Sequence, residues 1–187
     1  MIKGVGFRLG RLPAVFISPH SSVKLVPVIV AIALVVFFLS SFSYPRLMTL
    51  PYDSAGRSLN SPYTEHEPQV AGDYLVFISD RNGSQDVYLY DLVSRKLLDL
   101  PGLNSVDSVA SHPGVSVDGR YLVFAASHGG DVDIYRYDRQ VRRLQNLTAS
   151  LDAEVRNPTI SGDGNKIAFE SNANGQWDIV LYDRSDF

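Results

Sequence analysis

The sequence predicts an all-β fold of β-propeller-type repeats, about three four-stranded blades, preceded by one transmembrane helix. Three observations predict it. A long apolar run lies near the N-terminus, one motif recurs three times downstream, and the acidic residues divide as 16 Asp to 4 Glu. Asp favours turns and Glu favours helices, so this bias points to a turn-rich β protein. The 187 residues include no cysteine. That excludes a disulfide framework, a thiol nucleophile and a Cys-ligated zinc site.

Residues 1–24 form a basic tail in which Lys3, Arg8, Arg11 and Lys24 face no acidic residue, whereas the chain as a whole carries −3. Between Lys24 and Arg46 no charged group occurs. A helix over residues 25–44 would be about 30 Å long, the thickness of a hydrocarbon core. Pro27 falls in its first turn, where a missing N–H costs little. The positive-inside bias puts residues 1–24 in the cytoplasm and everything after Tyr44 outside. A retained anchor is the expectation. The alternative is a cleaved signal segment with Ser41-Phe42-Ser43 as a weak small-x-small site. Either way the rest of the chain is exported: a linker over 45–58, then repeats over 59–187.

Three 18-residue stretches align without a gap: Tyr74–Asp91, Tyr121–Asp138 and Lys166–Asp183, starting 47 and 45 residues apart. Five columns are identical in all three. They are Phe77/Phe124/Phe169, Gly83/Gly130/Gly175, Asp86/Asp133/Asp178, Tyr90/Tyr137/Tyr182 and Asp91/Asp138/Asp183. This period is the length of a four-stranded propeller blade. The first strand of each stretch is apolar on both faces, as in a sheet covered by neighbours on both sides. The Gly column sits in the hairpin, where φ > 0 is needed and a Cβ is expected to clash. The Asp after it is expected to accept backbone N–H groups of that turn. The second strand, which carries the Tyr column, is β-branched and aromatic, as strands prefer. Upstream, Asp118-Gly119 and Asp163-Gly164 mark tight turns behind a short strand. Downstream, Arg95–Leu100 and Val141–Thr148 read as fourth strands.

The pattern Pro-x-hydrophobic-Ser-x-Asp-Gly, then Ile-x-Phe, then Asn-Gly-x-x-Asp-Ile, is clearest in Pro158–Asp183. With its trailing Arg-x-Leu-x-x-Leu-Thr it resembles the TolB-type propeller repeat of bacterial periplasmic proteins, over roughly residues 59–187. That resemblance implies a blade of a six-bladed propeller and a role among envelope proteins. Taken with the anchor expected over residues 25–44, it makes the chain an expected single-pass inner-membrane protein with a periplasmic repeat domain acting as a protein-interaction scaffold. The alternatives are a binder of a glycan or other small envelope ligand and, less favoured, a propeller lyase or hydrolase.

Leu59-Asn60-Ser61 matches Leu103-Asn104-Ser105 and Leu147-Thr148-Ala149 at a spacing of 44. Gly56–Asn60 therefore reads as the fourth strand of a preceding blade. Three blades leave exposed faces and an open edge, so two chains joining head-to-tail into a six-bladed ring is one expectation. A compact monomer capped by the linker is another.

No catalytic, cofactor or metal constellation is expected. Gly114-Val-Ser116-Val-Asp118 approaches a nucleophile elbow but repeats at Ile160–Gly164, which makes it structural. His66 and His112, just before Pro68 and Pro113, and Arg156 in the third copy are the candidate ring-mouth residues. A hairpin turn explains Asp80–Asp86, which otherwise has the look of a calcium loop. The exported part is acidic and lacks a basic stripe, which disfavours nucleic acid. The expected partners are unidentified envelope proteins, the membrane through residues 25–44, and a second copy of the chain.

Overall fold

The computed structural model describes residues 27, 29, 30, 32, 33, 47–50, 52–104 and 107–184. The chain divides into two units, Met1–Met48 and Thr49–Phe187. In the first, Pro27, Ile29, Val30, Ile32 and Ala33 are helical, with the side chains of Ile29, Val30 and Ile32 exposed. The basic tail and most of the expected membrane segment lie outside the described residues. Among the described residues no helix is long and apolar enough to cross a membrane.

The second unit is all-β. Its first sheet comprises β1 (Glu65–Ala71), β2 (Tyr74–Ser79), β3 (Asp86–Asp91) and β4 (Lys96–Leu98). The second comprises β5 (Ser108–Val115), β6 (Tyr121–His128), β7 (Asp131–Asp138) and β8 (Arg143–Asn146). The third comprises β9 (Val155–Ile160), β10 (Lys166–Ser171) and β11 (Asp178–Asp183). Each is an antiparallel meander in chain order, and the third has three strands among the described residues. The register repeats as the motif does: Tyr74 lies opposite Asp91, Tyr121 opposite Asp138, and Lys166 opposite Asp183.

The sheets stack face to face, which explains why their central strands are apolar on both sides. Val76, Ile78, Val87 and Leu89 of the first sheet pack on Ala110, Val115, Leu122, Phe124 and Tyr137 of the second. The other face of the second sheet, through Tyr121, Val123 and Ile134, packs on Val155, Ile160, Ile167 and Phe169 of the third. Full burial of each such aliphatic or aromatic side chain contributes about 1.5–3 kcal/mol. The first strands β1, β5 and β9 are edge strands. Pro68, Pro113 and Pro158 sit in them, where no ladder N–H is required.

The free faces of the stack differ. On the first sheet, Phe77 and Tyr90 are covered by Leu59 and Leu50. On the third, Ile179 and Leu181 are 74 % and 58 % exposed, whereas Val87 and Leu89 in the same columns are at 0 %.

Several local expectations are corrected. Gly56–Asn60 is not a strand; it makes only an isolated bridge between Tyr52 and Asn60. Its carbonyls are taken instead by the Arg81 guanidinium, which donates to Gly56, Ser58 and Leu59 at 2.9, 2.9 and 3.1 Å. Gly83, Gly130 and Gly175 do have φ of 90°, 105° and 80°, but a Cβ there would meet nothing within 4 Å. The backbone dihedral, not crowding, selects glycine at these three positions. The Asp column is held by side-chain donors rather than turn N–H groups. Ser84 donates to Asp86, Thr148 and Asn146 donate to Asp133, and Asn174 and Gln176 donate to Asp178.

The Tyr column, identical in sequence, is not equivalent in burial. Tyr90 and Tyr137 are completely buried, but Tyr182 is only partly so, although it packs on the second sheet's cluster. The difference lies in the strand beyond. Tyr90 pairs with Leu97 of β4 and Tyr137 with Leu144 of β8, whereas β11 has no outer neighbour among the described residues. Tyr182 is thus a repeat position without the full structural role of its counterparts. The fourth strands themselves are shorter than Arg95–Leu100 and Val141–Thr148. Asn104 and Thr148 replace the ladder there with side-chain bonds to Val87 and Ile134.

Candidate functional site

The first strand of every sheet contains a bulge at the residue before its proline. Glu67, His112 and Asn157 take φ of 50°, 50° and 53° there, and the β1–β2, β5–β6 and β9–β10 registers shift beside them. The left-handed region is strained for a non-glycine residue by about 1–3 kcal/mol. His66 and His112 are thus not equivalent: His112 shares its column with Glu67 and Asn157, and His66 shares its column with Ser111 and Arg156. Counting back from the prolines locates this column, but only the bulge gives it a distinct conformation.

These bulges set a polar row along the three edge strands. The Glu67 carboxylate accepts the backbone N–H of His112, and its other oxygen lies 3.8 Å from His66 Nδ1. Farther along, Glu170 of β10 accepts from Arg156 Nε at 2.6 Å and from Asn157 Nδ2 at 3.0 Å. The Asn157 and Arg156 hydrogen bonds hold the Glu170 carboxyl below its ordinary pKa, with the nearby His112 adding to the effect. Glu67 and Glu170, which the sequence did not single out, are therefore what ties His66, His112 and Arg156 into one row.

Arg156 also belongs to an open cleft between the second and third sheets, of about 900 Å³. Its guanidinium lies over the Trp177 ring, 3.8 Å from the centroid. Val132, Leu151 and Trp177, all partly exposed, give this cleft apolar surface. Asp131, Asp152 and Glu154 give it an acidic rim. Asn172 fixes one wall by donating to Glu154 and accepting its backbone N–H at 2.8 Å. Trp177 is the only tryptophan of the chain, in the hairpin that each repeat varies most. The column holds Gln85 in the first copy and Val132 in the second, and a lone aromatic residue there is the signal from which the cleft is predictable.

The arrangement offers non-covalent recognition. It combines a flat aromatic surface, apolar patches and an acidic rim, a mixture suited to an amphipathic cationic segment. Among the described residues no group of three or more His, Asp or Glu side chains is placed to hold a metal ion.

No family model and no curated protein matches the chain. Solved structures do. TolB from Acinetobacter baumannii is 24 % identical, with a TM-score of 0.51 over 68 % of this chain and 32 % of that one. The β-propeller domain of the Trilobed protease from Pyrococcus furiosus is 12 % identical, with a TM-score of 0.50 over 66 % of this chain and 40 % of that one. This chain therefore spans about a third of the TolB chain it matches. At this level of identity the likeness shows the fold: the three stacked meanders are part of a β-propeller of the kind that TolB contains.

Proposed function

We propose that the chain is a membrane-tethered, extracytoplasmic propeller module that acts as a protein-interaction scaffold in a cell envelope. It carries no chemistry of its own in this reading. The observation that carries the proposal is the cleft between the second and third sheets. Rigid meanders fix its walls while turns and hairpins supply its recognition groups. The partner that fits it is an extended polypeptide alternating cationic and apolar side chains, with the cations on Asp131, Asp152 and Glu154 and the apolar groups on Val132, Leu151 and Trp177.

The test uses Trp177 emission of the full chain in neutral detergent, titrated with an alternating Lys-Val peptide and with its Glu-Val counterpart. The Lys peptide should shift the emission, with an affinity that falls as salt rises. A double variant Asp152→Lys, Glu154→Lys should weaken it at least tenfold without changing the melting temperature. Equal response to both peptides, or to neither, overturns the reading.

A second reading, glycan binding, is favoured by Trp177 standing partly exposed beside Asn172 and Asp152. Cell-wall saccharide fragments that shift Trp177 emission where the Lys peptide does not would select it. A further proposed partner is a second copy of the chain, meeting it through the Ile179–Leu181 face. Leu50 and Leu59 already cover the Phe77 face of the first sheet, so closing a ring head-to-tail would require residues 50–60 to move. Light scattering that finds only single chains at micromolar concentration would discard this association.

A further inference from the structure

One column of the motif's second strand departs from what the repeat predicts. Leu89, Arg136 and Leu181 occupy it. Leu89 is completely buried under the neighbouring sheet, and Arg136 is buried there too, at 8 % exposure. A guanidinium thus stands where the fold prescribes a hydrocarbon. Its Cζ lies over the Tyr121 ring, 4.5 Å from the centroid, and that of Arg184 lies over the same ring at 5.0 Å. Arg136 Nε and Arg184 Nη1 are both buried, and neither has a hydrogen-bond partner among the described residues. Buried donors without acceptors are rare, and each calls for an explanation.

Both arginines line a small cavity of about 150 Å³, together with Arg143, Gln145, Asp138 and Val141. Asp138 offsets part of the Arg136 charge, but its oxygens are shared with Arg120, at 2.8 Å from Nη2 and 3.1 Å from Nε, and with the Gln140 N–H. Among the described residues, three guanidiniums therefore line the cavity with one carboxylate, which Arg120 shares. A single carboxylate ligand would balance one of those three charges, whereas a compact dianion would balance two.

We infer that this cavity is a binding site for a small oxyanion of the phosphate or sulfate class. Guanidinium forks match the oxygens of such ions in pairs, and the cavity admits a compact group rather than a large one. Burial and the neighbouring Arg184 lower the pKa of Arg136, a repulsion that a bound dianion would relieve. Gln145 supplies a neutral donor on the same wall. The site is separate from the Trp177 cleft and does not depend on the role proposed for it. Its ligand could be a free ion or the phosphomonoester end of a larger molecule, since both present the same oxygens.

The test is thermal unfolding of the full chain in neutral detergent, followed by Trp177 emission. Sodium phosphate is titrated into chloride buffer at constant ionic strength, with sulfate, acetate and glycerol phosphate as parallel arms. Phosphate and sulfate should raise the melting temperature by several degrees and saturate in the millimolar range, while acetate should not. Arg136→Leu should melt no lower than the parent without phosphate and should lose the response. Arg184→Gln should weaken the response at least tenfold, and it serves as the test if Arg136→Leu does not fold. A response to glycerol phosphate equal to that of phosphate supports the site and assigns a phosphomonoester; a response to the free ions alone supports the site and assigns the ion. No saturable response in the parent, or an undiminished one in Arg184→Gln, overturns the inference.

Discussion

The Tyr74 ring of the first sheet stands 2.6 Å from where a Cβ on Gly119 of the second would lie. Gly119 belongs to the Asp118-Gly119 turn and has φ of 66°. Tyr121 meets Gly164 of the third sheet in the same way. Each Asp-Gly turn thus does two things: it reverses the chain, and it leaves a Cβ-sized gap for the preceding sheet's leading tyrosine. Turn chemistry and sheet stacking are one constraint.

Gly119→Ala is therefore expected to cost about 2 kcal/mol or more, since dihedral strain and a ring clash add. Gly175→Ala, with φ of 80° but open space around it, should cost only the strain, about 1 kcal/mol. Gly130→Val should exceed about 1 kcal/mol for the same dihedral reason. Urea denaturation of the three variants gives the ranking. Equal costs at 119 and 175 would show that the tyrosine contact contributes nothing.

Arg81 is the second point on which stability should hinge. Its side chain is 5 % exposed, and its five N–H groups reach Ser79, Glu65 and the carbonyls of Gly56, Ser58 and Leu59. Its guanidinium also lies 4.6 Å from the Tyr88 ring centroid. Arg81→Met should cost about 3 kcal/mol or more, because three carbonyls and a carboxylate lose their donors. Arg81→Lys should rescue little, as one ammonium cannot span that fork. Limited proteolysis should then cut residues 50–60 first; an unchanged cleavage pattern would contradict this.

How far these features are legible from the sequence follows from their range. The antiparallel meanders, their hairpins and the apolar double-faced strands are set by residues within a few positions of one another, and the repeat shows their first three strands three times over. Gly56–Asn60 reads as a strand because Leu59-Asn60-Ser61 repeats at Leu103-Asn104-Ser105, but its hydrogen-bond partner is a side chain more than twenty residues away, which no local pattern encodes. Tyr182 matches Tyr90 and Tyr137 letter for letter, yet its burial depends on a neighbouring strand that the motif does not contain. His66 and His112 both stand close to a proline, but His66 is two residues before Pro68 and His112 one before Pro113, so they fall in different columns, and only the bulge marks which column is special. Arg136 is visible as a charge in an apolar column, but only its burial beside Arg184 gives it meaning.

Alkaline and acid unfolding should respond to named groups. The Tyr88 hydroxyl is buried with no partner among the described residues, and burial, with Asp86 adding, pushes its pKa up to about 12. The folded state therefore keeps a proton that the unfolded chain gives up near pH 10. The stability this contributes is complete below pH 10 and is lost as the pH climbs toward 12. Tyr88→Phe should flatten that limb and at pH 7 be neutral or stabilising by up to about 1 kcal/mol. Asp138 behaves oppositely. Burial raises its pKa, but the Arg120 hydrogen bonds and the Gln140 N–H outweigh it and hold the carboxyl below its ordinary value. Its contribution is present above the usual carboxylate range and is lost as the pH falls through the lowered value. Asp138→Asn should make the acid limb shallower. Unaltered limbs in either variant would refute the assignment.

Topology is tested by fusing a reporter after Phe187. A reporter active only outside the cytoplasm should work there and fail when fused after Lys24. The reverse pattern would contradict the membrane-tethered reading.

The recognition cleft is tested most directly by photo-crosslinking in living cells, with a photoreactive residue placed at Trp177 and, as control, at Val93, an exposed turn position of the first sheet. One discrete heavier adduct should form from position 177 and not from 93, and Asp152→Lys with Glu154→Lys should abolish it. Adducts equally strong from both positions, or none from 177, would contradict a binding role for the cleft.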